Sequence, residues 1–501
     1  MKQCFSPCGI SRVLRISIKI CKACHMRLSV QRVIVTIALG VLSSTSSCTK
    51  PKKILSKGHL TSGLSADLGD VQATESRIYK QIINHNVGGA TFDQRYYANS
   101  SYANGKNAPV FFYICPEAEC EIAEMNIIFK PLAKKFRGHM LALEHRYYGK
   151  SYPMPIETIE SAKYLTVDQA VADLGTFVGE IKTRELSGPW IAMGGSYAGN
   201  LAAYLRASYP HLIHGALASS APVMPKAEFY EFGEYIPHVL GERCAEGTRE
   251  FVASWDNRIA KGKESADQLL TELGILRNYR SPTNMMAAVA SEIEYMTQYH
   301  MPNVQEKYCA AAESEDPVRS LFTYYKDVLQ PPPDPTGNAA KEIHTSTKNP
   351  RPGLELSEAG NNSEFHWDSW YYQSCTEYGY FFITDTSKIK PMLSKLLTVQ
   401  YAIHECNTFF DSEVVLNQDR VKARFHELND STTTRIYFTN GSRDPWSTLS
   451  FTKQDKEFEK REIFTDVIQG GAHCDDLRPS TDINVKNAQA RFEALVELWI
   501  K

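Results

Sequence analysis

From residue 107 onward, apolar runs of strand length alternate with amphipathic runs of helix length. Parallel strands need a crossover between them, usually a helix, so this alternation predicts a parallel sheet covered by helices. The strand-like runs are Val110–Ile114, Met140–Glu144, Trp190–Met193, Ile213–Ser219 and Arg435–Thr439. The helix-like runs are Thr166–Thr183, Gly199–Ser208 and Asn487–Ile500. The fold class that we expect is therefore α/β.

The chain changes character after about Pro225. From there to about Gln400 it is rich in charged and helix-favouring residues, and residues 331–360 are dense in Pro, Asn, Gly and Ser, as in an exposed loop. The full length of 501 residues exceeds one compact core of ordinary size. We expect an α/β domain built from residues 49–225 and 431–501, interrupted by a mostly helical insertion over residues 226–430.

The charge balance limits the classes of partner. The 55 Lys and Arg residues nearly match the 57 Asp and Glu residues, which gives a net charge of −2. No run of basic residues alternates with aromatic residues in the body of the chain, so we expect no nucleic-acid partner. A content of 43% hydrophobic and 22% charged residues is that of a globular protein and excludes general disorder.

Residues 1–48 have the pattern of a secretory signal region. Basic residues precede the uncharged apolar run Val33–Leu42, and the small residues Ser43–Ser47 follow it. The apolar run is about half the length of ~20 residues that a transmembrane helix needs, so a signal is favoured over a signal anchor. We expect a secreted or lysosomal protein without stable membrane insertion, whose true start is either Met1 or Met26.

Cysteines and glycosylation triplets agree with export. The cysteines after Cys48 have wide spacings that match no zinc-binding pattern, and six of them can form disulfides in an oxidising compartment, leaving one free. These cysteines are Cys115, Cys120, Cys244, Cys309, Cys375, Cys406 and Cys474. Asn-X-Ser/Thr triplets, which are glycosylation candidates, begin at Asn99, Asn361, Asn429 and Asn440.

Ser196 stands where an apolar strand meets a helix, in the run Gly194-Gly195-Ser196-Tyr197-Ala198. In a nucleophile elbow the serine occupies a strained turn, so the residues two positions before and after it must be small. Gly194 meets this requirement, and Ala198 departs from the usual glycine by one methyl group. The backbone N–H of Tyr197, at the helix N-terminus, is a candidate oxyanion donor. The alternative is a glycine-rich turn that serves only packing.

A nucleophilic serine needs a base, and the base needs a carboxylate that orients it. In the α/β-hydrolase fold these residues follow the serine in the order acid, then histidine, on loops after later strands. Asp444 follows the strand-like run that ends at Thr439, and His473 follows the apolar pair Val467–Ile468. The sequence therefore predicts a triad of Ser196, Asp444 and His473 on an α/β-hydrolase scaffold.

Each of the two later residues has an ordinary alternative. An aspartate before proline, such as Asp444, is often a turn former. His473 together with Asp475 and Asp476 has the chemistry of a cation site, but no further ligand group lies at a recognisable spacing. We therefore expect no metal.

Several sequence blocks around these residues resemble one serine peptidase family, that of lysosomal Pro-X carboxypeptidase, dipeptidyl peptidase II and thymus-specific serine protease. The resemblance covers roughly residues 80–500, and the stretch 373–380 looks closer to the thymus-specific branch. The blocks that carry it are Glu144–Ser151, Tyr164–Leu174, Gly194–Gly199, Ala218–Pro222, Cys375–Glu377 and Asn440–Ser447.

The resemblance implies an α/β-hydrolase domain with a helical cap, no cofactor, and cleavage of peptides next to proline or a small residue. It implies that Ser196 is acylated, that His473 is first general base and then general acid, and that Asp444 orients the imidazole. Dipeptidyl peptidase and carboxypeptidase specificities both remain open. The family includes homodimers, although no segment here indicates one. Within Glu144–Arg146, we interpret the charged residues as structural.

The loop Cys115–Cys120 departs from the family. The family has a glycine-rich stretch there that helps to bind the oxyanion or the substrate, whereas here Glu117 and Ala118 occupy it between two cysteines. A local disulfide is expected to hold the shape that glycine otherwise permits, with Cys244–Cys309 and Cys375–Cys406 as the other pairs and Cys474 unpaired. The altered loop keeps a catalytically weak or inactive binding protein open as an alternative, and an esterase or lipase is a third.

Overall fold

The fold is seen in a computed structural model that describes residues 74–273, 281–329, 368–385, 387–388 and 390–501. The structural statements below concern those residues. The expected signal region 1–48, the expected loop 331–360 and the glycosylation candidate Asn361 lie outside them, so these expectations stay predictions.

A sheet of eight strands forms the centre, in the spatial order β1-β2-β4-β3-β5-β6-β9-β10. Strand β2 is antiparallel to both β1 and β4, and every other neighbouring pair is parallel. Strands β7 and β8 form a separate parallel pair. The strands are β1 (Glu75–Ile82), β2 (Thr91–Asn99), β3 (Val110–Ile114), β4 (His139–Leu143), β5 (Trp190–Gly195), β6 (Gly215–Ser219), β7 (Lys226–Glu228), β8 (Gly379–Phe381), β9 (Ile436–Gly441) and β10 (Ile463–Ile468).

Helices connect most of these strands. Within the described ranges, none is long and apolar enough to cross a membrane. They are α1 (Ile122–Phe136), α2 (Val167–Arg184), α3 (Tyr197–Ser208), α4 (Glu231–Leu240), α5 (Glu242–Ala260), α6 (Lys263–Leu273), α7 (Pro282–Gln298), α8 (Pro302–Ala312), α9 (Pro317–Val328), α10 (Ser369–Gln373), α11 (Val399–Phe410), α12 (Asp419–Asn429), α13 (Lys456–Lys460) and α14 (Ile483–Trp499). Short 3-10 turns lie at Ile159–Ala162, Pro445–Leu449 and Asp475–Leu477, and a π-helical turn at Ser374–Tyr378.

Both faces of the sheet are covered by helices. Side chains alternate across a pleated strand, and β3 shows the consequence. Phe112 packs in one buried cluster with α2 and α3, whereas Phe111 and Tyr113 pack in another with α1 and α14. All five residues of β3 are buried, which explains why a strand covered on two faces reads as a continuous apolar run. The α/β-hydrolase fold predicted from the sequence is confirmed.

The hairpin β1–β2 was not anticipated by the sequence analysis. Strand β1 lies at the edge of the sheet, and its first four residues, Glu75–Ile78, are exposed. An edge strand with polar side chains lacks the apolar run that identifies a buried strand. The antiparallel start of an otherwise parallel sheet therefore left little signal in the sequence.

The segment between β6 and β9 holds helices α4 to α12. The buried apolar side chains of α4 to α9 and α12 join the same cluster as α2 and α3, whereas those of α10 and α11 form a separate cluster. The rings of Phe251, Trp255 and Tyr325 contact one another in the first cluster. Disulfide Cys244–Cys309 joins α5 to α8, and Cys375–Cys406 joins the π-helical turn to α11. The helical insertion is thus packed against the sheet layers through a shared core.

Candidate active site

Ser196 forms the junction between β5 and α3. Its backbone has φ 56° and ψ −129°, a conformation that costs a non-glycine residue energy and that recurs at functional sites. Its N–H donates to Ser219 O at 2.9 Å, and Asn200 N–H donates to Ser196 O at 3.1 Å. Tyr197 begins the helix, so its N–H is among those without an intrahelical acceptor. The structure therefore places Ser196 in the strained turn of a nucleophile elbow.

The two small residues that flank the serine, Gly194 and Ala198, have different space for a methyl group. A Cβ added to Gly194 would lie 2.2 Å from Ala198 O, a distance at which the backbone must move. Ala198 is itself buried inside α3, and its own methyl group fits there. Glycine is therefore required before the serine, while the position after it accepts alanine.

Gly194→Ala is expected to lower the free energy of unfolding by about 1–3 kcal/mol, because the added methyl group overpacks the turn. Ala198→Gly is the matched control, and it loses only about 0.5–1 kcal/mol as a glycine inside a helix. Urea unfolding of both variants measures the difference. A Gly194→Ala variant as stable as the unaltered protein would contradict the close contact.

Asp444 and His473 form a buried hydrogen-bonded pair after the ends of β9 and β10. Asp444 Oδ2 lies 2.8 Å from His473 Nδ1, and its Oδ1 accepts from Trp446 N–H at 3.0 Å. A Cβ at Gly441 would lie 2.3 Å from Gly471 O, so glycine lets the histidine loop approach β9. With Nδ1–H donated to the carboxylate, Nε2 of His473 is the nitrogen left to accept a proton.

Two opposing influences set the pKa of His473. Burial lowers it, whereas the negative charge of Asp444 and the neighbouring Cys474 raise it, and the net pKa lies well above the ordinary value. An adjacent carboxylate stabilises the imidazolium form. That is the form a general base reaches when it takes a proton from a serine.

The end of β6, at Ser219 and Ser220, contacts both the serine and the histidine loop. Ser219 O accepts the N–H of Ser196 and lies 4.0 Å from Cys474 Sγ. The hydroxyl of Ser220 accepts the N–H of Cys474 at 2.9 Å. Ser196 and Cys474, the residue after His473, therefore contact the same end of β6.

Asp476 links β6 to β9 by two hydrogen bonds. Its carboxylate accepts from Ser219 Oγ at 2.6 Å and from Thr439 Oγ1 at 2.7 Å, and burial raises its pKa. Asp475 instead accepts the N–H of Ala472 at 2.7 Å. The two carboxylates that suggested a cation site are thus engaged separately, and within the described ranges no three His, Cys, Asp or Glu side chains are grouped as metal ligands.

The loop Cys115–Cys120 is closed by the expected disulfide. Buried Glu144 accepts the N–H of Cys120 at 3.0 Å, which holds the loop at the end of β3. Glu117 Oε2 is buried and has no hydrogen-bond partner among the described residues. Burial raises the pKa of Glu117, while its own backbone N–H and the nearby His473 lower it. Ala118 N–H donates to Pro116 O at 2.8 Å. The expectation that Ala118 binds the oxyanion or the substrate stays a prediction.

His145 contacts Tyr197, the residue after the serine, through a hydrogen bond between side chains, which agrees with its interpretation as structural. Its Nδ1 lies 2.6 Å from Arg146 O, and its Nε2 accepts from Tyr197 OH at 2.8 Å. Gln373 Nε2 donates to the same phenol at 2.9 Å. Burial lowers the pKa of His145 to about 4, so the imidazole is neutral at neutral pH. This network fixes the first residue of α3.

Two of the glycosylation candidates are wrong. Asn440 and Asn99 are 0% and 1% exposed at the ends of β9 and β2, and their amide nitrogens donate to Phe451 O and Thr74 Oγ1. A glycan cannot be attached to a buried strand residue in this fold. Asn429, at the end of α12, is exposed. Cys474 is unpaired and buried, as expected.

The chain is similar to one family of known proteins over most of its length. The serine carboxypeptidase S28 family matches residues 84–492. The probable serine protease EDA2 of Arabidopsis thaliana is 29% identical over 399 residues, which cover 77% of each chain. The thymus-specific serine protease of Mus musculus is 26% identical, with 82% of this chain and 84% of the relative covered. The lysosomal Pro-X carboxypeptidase of Bos taurus is 27% identical, with 80% and 81% covered.

Proposed function

Because the chain belongs to the serine carboxypeptidase S28 family, we propose that it is a proline-directed exopeptidase that works through an acyl-enzyme on Ser196. The family is one of serine peptidases, so the substrates are peptides. The observation that carries the proposal is the buried pair of Asp444 Oδ2 and His473 Nδ1, 2.8 Å apart, beside a serine in a strained turn.

In the proposed reaction, His473 Nε2 takes the proton of Ser196 Oγ as that oxygen attacks the scissile carbonyl carbon. Asp444 stabilises the imidazolium, and the N–H of Tyr197 donates to the oxyanion. The protonated histidine gives its proton to the leaving amine as the peptide C–N bond breaks. Water, deprotonated by the same histidine, then releases the acyl group and restores the serine.

A cluster of buried aromatic rings lies beside the histidine. The ring of Trp446 is 6.4 Å from that of His473, and its other aromatic neighbours lie on the insertion side. These neighbours are Phe229, Phe232, Tyr380 and Phe382, with ring centres 5.2–6.1 Å from Trp446. These rings are core packing, since none of Phe229, Tyr380 and Trp446 is more than 8% exposed. The proposed proline preference therefore depends on the family relationship. The bovine relative is itself named a Pro-X carboxypeptidase.

The charge beside the triad favours recognition of a peptide amine. The carboxyl of Glu117 interacts electrostatically with His473 and with the buried Tyr299. Its unpartnered buried Oε2 has the chemistry to bind a substrate ammonium group. A basic group, Arg478, also acts on Tyr299 but lines a cavity of about 290 Å³ together with α14 residues. Within the proposal, we therefore place dipeptidyl peptidase activity ahead of carboxypeptidase activity.

Glu117→Gln is expected to lower kcat/KM for a dipeptide substrate with a free amine by about 10- to 100-fold, because a charge-assisted hydrogen bond is lost. The same peptide with an acetylated amine serves as the control, and its slow turnover changes little. Steady-state kinetics on the pair checks this. An equal loss on both substrates would show that Glu117 does not read the amine.

Peptides blocked at one end test the proposed function. The panel contains Lys-Ala and Gly-Pro chromogenic substrates and peptides that end in Pro-X, each with and without a blocked terminus. Cleavage that depends on a free amine indicates a dipeptidyl peptidase, and dependence on a free carboxylate indicates a carboxypeptidase. Cleavage that is indifferent to both blocks contradicts an exopeptidase. Turnover of esters alone favours the esterase alternative, and no turnover favours the binding protein.

The proposed setting is a secretory or lysosomal lumen. Three disulfides join cysteines of the described residues, and such bonds persist in oxidising compartments. The bovine relative is named as lysosomal. Cell fractionation with an antibody against the chain checks this placement.

A further inference from the structure

We propose that Gln298, at the C-terminal end of α7, is a positioning residue for both Asp444 and His473, so that the helical insertion helps to set the reactivity of the triad. The inference rests on the proposed serine peptidase activity. Gln298 carries no motif and lies 175 residues before His473 in the chain.

The first contact is made by the backbone of Gln298. Its carbonyl oxygen accepts the N–H of His473 at 2.9 Å. The last carbonyls of a helix have no intrahelical donor, so α7 offers this acceptor without giving up a bond of its own. The histidine backbone is thus held by the insertion and not by the hydrolase sheet alone.

The second contact is made by the side chain of Gln298. Its Oε1 accepts from the indole N–H of Trp446 at 2.6 Å. The backbone N–H of Trp446 in turn donates to Asp444 Oδ1 at 3.0 Å, and the tryptophan is 8% exposed. One glutamine therefore bonds to the turn that carries the acid and to the loop that carries the base.

The end of α7 also lies beside the imidazole of the histidine. A helix C-terminus carries a partial negative charge and stabilises a cation within its last turn. Tyr299, the next residue, places its ring edge-on to the imidazole, with ring centres 5.9 Å apart and planes at 77°. The other titratable groups that face His473 are Asp444, Cys474 and Glu117. Of these neighbours, only the end of α7 comes from the middle of the insertion.

Two substitutions separate the effect of the Gln298 hydrogen bond from the effect of a charge placed at residue 298. Gln298→Leu removes the indole acceptor, and we expect kcat to fall about 10-fold with KM changed less than about 2-fold, since a small misplacement of the reacting groups slows the chemical step. Gln298→Glu keeps an acceptor oxygen and adds a negative charge. We expect it to retain kcat within about 3-fold and to move the acid limb of the kcat/KM profile to higher pH, because the added charge favours the imidazolium.

Active-site titration with a fluorophosphonate probe normalises kcat to folded, reactive protein, and Ser291→Ala on the same helix is the control. Trp446→Phe provides a second check: in that background Gln298→Leu should slow turnover no further, because the two act through one hydrogen bond. A wild-type kcat in normalised Gln298→Leu, or an unshifted profile in Gln298→Glu, would overturn the inference. Wild-type protein that is neither labelled at Ser196 nor active would overturn the proposed function, and the inference with it.

Discussion

Replacing Ser196 by alanine is expected to lower kcat/KM on peptide substrates by about 10⁴- to 10⁶-fold and to abolish labelling by a fluorophosphonate probe. The alcohol oxygen of Ser196 forms the acyl bond in the proposed mechanism. Ser220, the other serine with a positive φ beside the histidine loop, uses its hydroxyl to accept the N–H of Cys474. The residual rate is what oxyanion and substrate binding support by themselves.

The control for this experiment is Ser187→Ala, an exposed serine whose hydroxyl donates to Asn107 Oδ1. It should leave both turnover and labelling unchanged. His473→Ala should cost about as much as Ser196→Ala, and the double variant should lose little more, because the two residues act as a unit. Additive losses would mean that Ser196 and His473 do not work in one step.

Replacing Arg146 by leucine is expected to destabilise the fold by about 3–5 kcal/mol, because it leaves the buried carboxylate of Asp173 without its cation. The Arg146 guanidinium is 0% exposed and donates to Asp173 at 2.6 Å from Nε and 2.5 Å from Nη2. It also donates to the carbonyls of Ile82, Ile83 and Tyr164 at 3.0–3.1 Å. Urea unfolding, followed by circular dichroism, measures the loss.

The matched double variant Arg146→Leu with Asp173→Leu removes both charges. It should recover much of the lost stability, since a buried ion pair can be exchanged for apolar side chains at small net cost. His85, whose Nε2 lies 2.7 Å from Asp173 Oδ1, would then lose its partner, so the recovery is incomplete. A single Arg146→Leu variant as stable as the double one would contradict the penalty of an unpaired carboxylate.

The sequence could predict the buried strands and the candidate catalytic residues that follow them. Strand β3 was found at Val110–Ile114, because a strand covered on both faces leaves an unbroken apolar run. The elbow at Ser196 was marked by small residues that a tight turn demands. Asp444 and His473 each follow a strand that is parallel to its neighbours, and the carboxyl ends of such strands share one edge of the sheet.

What the sequence could not predict was decided by distant contacts. Gln298 is one polar residue of an amphipathic helix, and its partners, Trp446 and His473, are known only once the chain is folded. Asn440 satisfies the glycosylation triplet, but its burial depends on β9 lying between β6 and β10. The hydrogen bond from Ala118 N–H to Pro116 O likewise could not be predicted. It depends on the loop conformation, whereas the sequence shows only which residues lie between the two cysteines.

The pairing of β6 with β9 has a consequence for how the protein is made. Ala216 pairs with Ile436, so the centre of the sheet can close only after the whole insertion has left the ribosome. Asp444 and His473 follow that closure in the chain, while Ser196 precedes it. A nascent or truncated chain that contains Ser196 but ends before His473 therefore has no base to activate the serine. In the proposed mechanism, hydrolytic competence therefore arrives only with the last part of the polypeptide.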